Sequence, residues 1–273
     1  AMALENGLES INREHREDDA KALLLLGLSD WKSAAVETEI GRHYAPYWQG
    51  LSTESHLAFA GLLRDLGEDE IRVALRPDPD RDATRACFAL VDHPGIFSRL
   101  AGALALVGAN IVDARTYTSK DGFATAAFWI QDADGKPYEA AKLPRMSKMI
   151  DRTLAGEVLP REAFADRDKV KKRESAFRFP THIMFDNEGS DIYTIIEVDT
   201  RDRPGLLFDL TRTLAGNNIY IASAVIATFG AQVVDTFYVK DMFGLKLHAK
   251  SRQEALDKKL RQAILDGVKR ANL

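Results

Sequence analysis

Cys87 is the only cysteine in 273 residues, which excludes an internal disulfide framework and a zinc site built on thiolates. Charge of one sign is missing too. Lys and Arg number 37 against 41 Asp and Glu, a net charge of −4, so no global positive field exists to hold nucleic acid. Long apolar runs are absent: Ala22–Leu28 is far too short to cross a bilayer. Charged residues crowd the first twenty positions, unlike a secretory leader. These absences lead to the expectation of a soluble, cytoplasmic protein with no membrane and no nucleic-acid partner.

What is present begins with helices. Residues 10–27 are charged and then apolar, with Gly27 as a stop; Ser29 or Asp30 can cap a second helix to about Tyr44, where Pro46 blocks continuation. Ser52 or Thr53 can cap a third, with Leu57, Ala60, Leu63 and Leu66 at helical spacing. Residues 1–67 are therefore expected to form a helical adaptor, the tail of a larger upstream region. From about residue 70 the pattern changes. Ile71, Val73 and Leu75 alternate as a half-buried strand, 83–91 reads as a second strand, and Pro94-Gly95 opens a helix. Residues 110–119 and 122–131 read as a hairpin, and a helix is expected over 138–154. Residues 156–180, polar and carrying Pro160, Pro180 and the mixed-charge run 166–174, read as a linker.

The sequence then repeats. Asp92-His93-Pro94-Gly95-Ile96 answers Asp202-Arg203-Pro204-Gly205-Leu206 at an offset of 110, and the same offset sets Val73 on Ile183, Thr84 on Thr194 and Leu104 on Leu214. After a two-residue deletion Asn110-Ile111 meets Asn218-Ile219, and after one insertion Asp132 and Gly135 meet Asp241 and Gly244. Two copies of one unit follow, 70–155 and 181–273. Each reads strand, strand, helix, strand, strand, helix. The fold class is α+β: two ferredoxin-like sandwiches of the βαββαβ type in tandem, the leading strand of each copy supplying the fourth strand. Such sheets also bind RNA, but the aromatic Lys/Arg-Gly-Phe/Tyr-Gly/Ala-Phe motif is absent.

A strand ending in Asp-x-Pro-Gly before a helix leaves backbone N–H groups at the helix start, which suit a carboxylate, while Asp92 and Asp202 can accept from an ammonium. Gly95 and Gly205 allow close approach to the backbone. Carboxylate and ammonium sites side by side describe an amino-acid site. The alternative is ordinary turn chemistry, with each Asp a helix cap and Asn110 and Asn218 turn residues. Cys87 reads as a small core residue, Trp31 and Trp48 as anchors of the helical lead-in, and Trp129 as part of a sheet face.

At these residues the sequence resembles the ACT domain. More closely, it resembles the C-terminal part of the bifunctional PII uridylyltransferase/uridylyl-removing enzyme family. The stretch that carries this is Phe185-Asp186-Asn187, Thr194-Ile195-Ile196-Glu197-Val198, then Arg201-Asp202-Arg203-Pro204-Gly205-Leu206-Leu207 and Leu210-Thr211; Ile111-Val112-Asp113-Ala114-Arg115 and Tyr44-Ala45-Pro46-Tyr47-Trp48 agree with it. The resemblance implies tandem ACT domains that sense glutamine and bias UMP transfer from UTP to the PII signalling protein, or its removal. Those two chemistries belong to upstream nucleotidyltransferase and HD domains, the former expected to need Mg²⁺. Here no glycine loop precedes a paired Asp-x-Asp, and none of the six histidines is followed by Asp or spaced as His-x-x-x-His. This chain is therefore expected to be a regulatory fragment with no catalytic residues, no metal and no cofactor of its own. The resemblance also implies ligand contacts at Asp92, Gly95, Ile96 and Asn110 and at Asp202, Gly205, Leu206 and Asn218, and a possible homodimer through ACT sheets. Two other readings stay open: a docking module without a small-molecule ligand, and a stand-alone ACT-repeat sensor of another amino acid.

Overall fold

Four helices come first: α1 (Met2–Gly27), α2 (Ser33–Gly41), α3 (Ala45–Gly50) and α4 (Thr53–Leu63). The structure, a computed structural model, describes residues 2–156, 180–203, 205–229 and 231–271, with side chains from residue 15 to 269. The expected linker and its charge run lie almost wholly outside the described residues, as does Pro204 of the second turn. After α4 come β1 (Arg72–Asp78), β2 (Ala83–Val91), α5 (Ile96–Leu106), β3 (Asn110–Thr118), β4 (Phe123–Gln131) and α6 (Leu143–Leu154). The second repeat follows as β5 (His182–Asp186), β6 (Thr194–Arg201), α7 (Leu206–Gly216), β7 (Ile219–Phe229), β8 (Gln232–Asp241) and α8 (Lys250–Ala271).

Strand order is β1-β2-β4-β3-β7-β8-β6-β5, so each repeat arranges its four strands alike and the leading strand, β1 or β5, takes the outer place. The chain divides into two units. One holds the chain to Ala74 together with Ala86–Asp92 and Tyr117–Ala127. Its core is Leu24, Tyr47, Trp48, Phe59 and Leu63 with Phe88 and Ala126, all nearly or fully buried. The helices are clasped to the tip of the β3–β4 hairpin. The Lys120 N–H donates to the Arg42 carbonyl at 2.8 Å, Lys120 Nζ donates to the Gly41 carbonyl at 2.9 Å, and Tyr117 meets Tyr47 edge-on at 6.0 Å. Gly50 is required there, since a Cβ on it would fall 1.8 Å from the Tyr117 hydroxyl.

The expected second helix is shorter at both ends, and its N-cap is Lys32 rather than Ser29 or Asp30. Tyr44 is extended (φ −90°, ψ 160°), as the residue two before Pro46 in the first turn of α3, and α2 ends at Gly41. Ser52 caps α4 as expected, accepting from the Ser55 N–H.

The other unit comprises Leu75–Arg85, His93–Thr116 and Phe128–Leu273. In it β5 pairs β6, β6 pairs β8 and β7 pairs β8, all antiparallel, and β3 joins β7 through Asp113↔Val225, Ala114↔Ala224 and Arg115↔Ser223. Burial alternates strictly along β6 and β8, so one face of each lies under helices. Leu206, Leu210 and Leu214 of α7 are buried, and α8 adds Leu256, Leu260 and Ile264. By contrast β2 and β4 are buried on both faces, which is why they read as apolar runs without alternation.

Candidate functional site

Each Asp-x-Pro-Gly turn is held in the same way. The Asp92 N–H donates to the Gly122 carbonyl and the Asp202 N–H to the Ala231 carbonyl, both at 2.9 Å. Gly95 and Gly205 are the N-cap residues of α5 and α7, at φ 85° and 76°, in the left-handed region where a Cβ is penalised. Neither helix start carries a side-chain cap bond, so the aspartates are not N-caps. Asp92 instead accepts from the Thr118 hydroxyl at 2.5 Å.

The second turn opens on a cavity of about 350 Å³. That is enough for a small polar ligand. Its walls are Asp202, Arg203, Gly205, Leu206, Leu207 and Phe208 from the turn and the start of α7; Ala101, Ala105, Gly108, Ala109, Asn110 and Ile111 from α5 and β3; and Ile226, Thr228, Val233 and Asp235 from β7 and β8. Four of the residues expected from sequence thus come together: Asp202, Gly205, Leu206 and Asn110. The first turn of α7 presents the positive end of its dipole there, which favours an anionic group such as a carboxylate.

The other four lie elsewhere. Gly95 faces α7, with a Cβ built on it 3.8 Å from that of Ala215; Ala105, which lines the cavity, holds the position in the first repeat that Ala215 holds in the second. Ile96 is buried in the core. Asn218 is a left-handed turn residue (φ 58°) whose N–H donates to the Ala215 carbonyl at 3.0 Å, which is the turn reading of that asparagine. Asp92 is tied to Thr118 and does not line the cavity.

Arg203 points away from solvent. Its Nη2 donates to Asp209 at 2.5 Å, and the guanidinium lies against Gly267 of α8, where a Cβ would fall 1.7 Å from Nη2. Burial raises the Asp202 carboxyl above its usual range, while the N–H and charge of Arg203 pull the other way. Asp235, which the sequence reading passed over, is 1% exposed and its Oδ1 has no hydrogen-bond partner among the described residues. Burial, reinforced by the Asp202 charge, pushes its carboxyl up to about 8. The available signal was an acid on the inward face of an alternating strand, between Val233 and Phe237. Among the described residues no group of three or more His, Cys, Asp or Glu is arranged to hold a metal, and no helix is long and apolar enough to cross a membrane.

The fold and these paired turns define a tandem ACT-domain chain. An ACR9-like, ACT-like domain model matches residues 182–271, and an ACT domain model matches residues 88–142. Bifunctional uridylyltransferase/uridylyl-removing enzymes match almost end to end along this chain. The relative from Cereibacter sphaeroides is 73% identical over 98% of the chain and 29% of its own length; that from Ruegeria pomeroyi is 66% identical over 98% and 30%; and that from Azospirillum brasilense is 39% identical over 96% and 29%. Over nearly its whole length the chain matches the tandem ACT region of bifunctional uridylyltransferase/uridylyl-removing enzymes. It spans a little under a third of the length of those relatives. A crystal structure of aspartate kinase from Synechocystis aligns with 67% of this chain and 27% of its own, at TM-score 0.34 and 16% identity.

Proposed function

We propose that this ACT pair is the glutamine-sensing regulatory region of a bifunctional PII uridylyltransferase/uridylyl-removing enzyme, with glutamine bound in the cavity at the second turn. The observation that carries the reading is that cavity itself. It gathers a helix start suited to a carboxylate, the acidic side chains Asp202 and Asp235, and Asn110 with a side-chain amide. An α-amino acid with an amide side chain matches those three chemistries. The catalytic work, UMP transfer to PII with Mg²⁺ and its hydrolytic removal, is assigned to nucleotidyltransferase and HD domains elsewhere in the protein.

The walls come from both repeats, with α5 and β3 on one side and α7, β7 and β8 on the other. A ligand bridging them stabilises one arrangement of the repeats over another, which is the differential affinity that regulation requires. Calorimetric titration of the purified chain with glutamine, against glutamate and asparagine, tests the reading. Saturable binding of glutamine alone is expected; a folded chain that takes up none of the three contradicts it.

A further inference from the structure

The two repeats differ at one position of the site. The backbone bonds Asp92→Gly122 and Asp202→Ala231 fix the correspondence of the two hairpins, and by it Asp235 falls on Ala126; Ser119 meets Phe123 across the first hairpin as Phe229 meets Gln232 across the second, which sets Thr228 of β7 on Thr118. In the first repeat a single carboxylate, Asp92, is engaged by the Thr118 hydroxyl, and Ala126 is fully buried. In the second, the hydroxyl is kept as Thr228, which lines the cavity, and a second carboxylate is added at Asp235. Both Asp202 and Asp235 line the cavity, and the Asp235 oxygen Oδ1 is buried without a hydrogen-bond partner among the described residues. An interior acid whose oxygen meets no donor is costly unless something completes it.

Resting on the amino-acid reading above, we propose that Asp235, together with Asp202, forms the ammonium-binding half of the site. The α7 start then takes the ligand carboxylate, and the second repeat is the binding repeat. The charged groups facing Asp235 are Asp202 and Arg203 of the turn; β6 and β7 set Val198 and Ile226 opposite it in register, and Asn110 on the far wall is uncharged. Arg203 is engaged with Asp209, and the charge that acts on the Asp235 carboxyl is that of Asp202, which favours the protonated form in the empty site. An incoming ammonium favours the carboxylate, so binding expels a proton and tightens as pH rises, by up to about tenfold per pH unit while Asp235 is still protonated in the free protein.

The test is calorimetric titration of the full chain and of Asp235→Asn. The titrants are glutamine and its des-amino analogue, in which hydrogen replaces the amine, each in two buffers of different ionisation heat near neutral pH. Wild type is expected to bind glutamine with release of close to one proton and to bind the des-amino analogue at least about tenfold more weakly. Asp235→Asn is expected to lose affinity for glutamine by a similar factor, to release no proton, and to treat the des-amino analogue as wild type does. Thermal melting separates a binding role from a structural one: Asn removes the buried acid, so the variant should melt no lower than wild type. Glutamine bound equally by wild type and Asp235→Asn, with equal proton release, overturns this assignment and leaves the amino-acid reading standing. A wild-type chain that binds no amino acid overturns both.

Discussion

Asp235 stands in the second repeat where Ala126 stands in the first, and both positions are buried. The duplication therefore did not produce two equal sites. One copy has filled the position beneath its Asp-x-Pro-Gly turn with a methyl group, the other with a carboxylate facing a cavity.

Stability should record that carboxylate. A carboxyl held up to about 8 in the folded chain keeps its proton while the unfolded chain, near its ordinary value, has released it. Between about pH 4 and pH 8 the folded state thus binds more protons, and stability falls as pH rises, by up to about 1.4 kcal/mol per pH unit. Asp202, also raised, adds to the same slope. In Asp235→Asn the Asp235 contribution vanishes, so the melting-temperature difference, variant minus wild type, should grow from about pH 5 to pH 8. Parallel melting curves across that range contradict it.

Asp202→Ala and Asp92→Ala should part company. Asp92 serves the Thr118 hydroxyl, so its loss is expected to cost about 1.5–3 kcal/mol of stability and leave glutamine affinity unchanged. Asp202 lines the cavity, and its loss should weaken binding with a smaller effect on melting. Titration and denaturant unfolding of both variants decide the matter.

Gly267→Ala acts at a distance. Its methyl group would displace the Arg203 guanidinium from α8 and strain the bond to Asp209, at an expected cost of about 1–3 kcal/mol. Arg203→Ala should cost a similar amount, and the double variant less than the sum, because both changes break one contact. Additive unfolding energies would show that the two residues are independent.

Ala126→Asp reverses the asymmetry. A carboxylate placed at that fully buried position is expected to destabilise by about 3–5 kcal/mol and to create no second glutamine site. Unfolding curves and the titration stoichiometry report the two outcomes separately.

Much of this was legible in the sequence for reasons that can be named. The Asp-x-Pro-Gly turns, the offset of 110 and the alternation of Ile71, Val73 and Leu75 follow local rules of turn and strand chemistry, and they placed the repeats and the paired glycines. What local rules missed depended on contacts distant in sequence. The expected helix from Tyr138 begins only at Leu143, because the Tyr138 N–H is drawn to the Thr84 hydroxyl at 2.9 Å. β1 extends beyond Leu75 to Asp78, whose carboxylate accepts from Trp129 Nε1 at 2.8 Å. Asn110 and Asn218 occupy equivalent positions, yet one lines the cavity and the other makes a turn. Asp235 looked like one acid in a strand; only the space beneath α7 gives it a role.

The most direct measurement is titration of the purified chain with glutamine beside the same titration of Asp202→Ala. One glutamine per wild-type chain, with affinity markedly reduced in Asp202→Ala while the variant stays folded, is the result predicted for a sensor built on the second turn. Two equal sites per chain, or an affinity indifferent to Asp202, would contradict it.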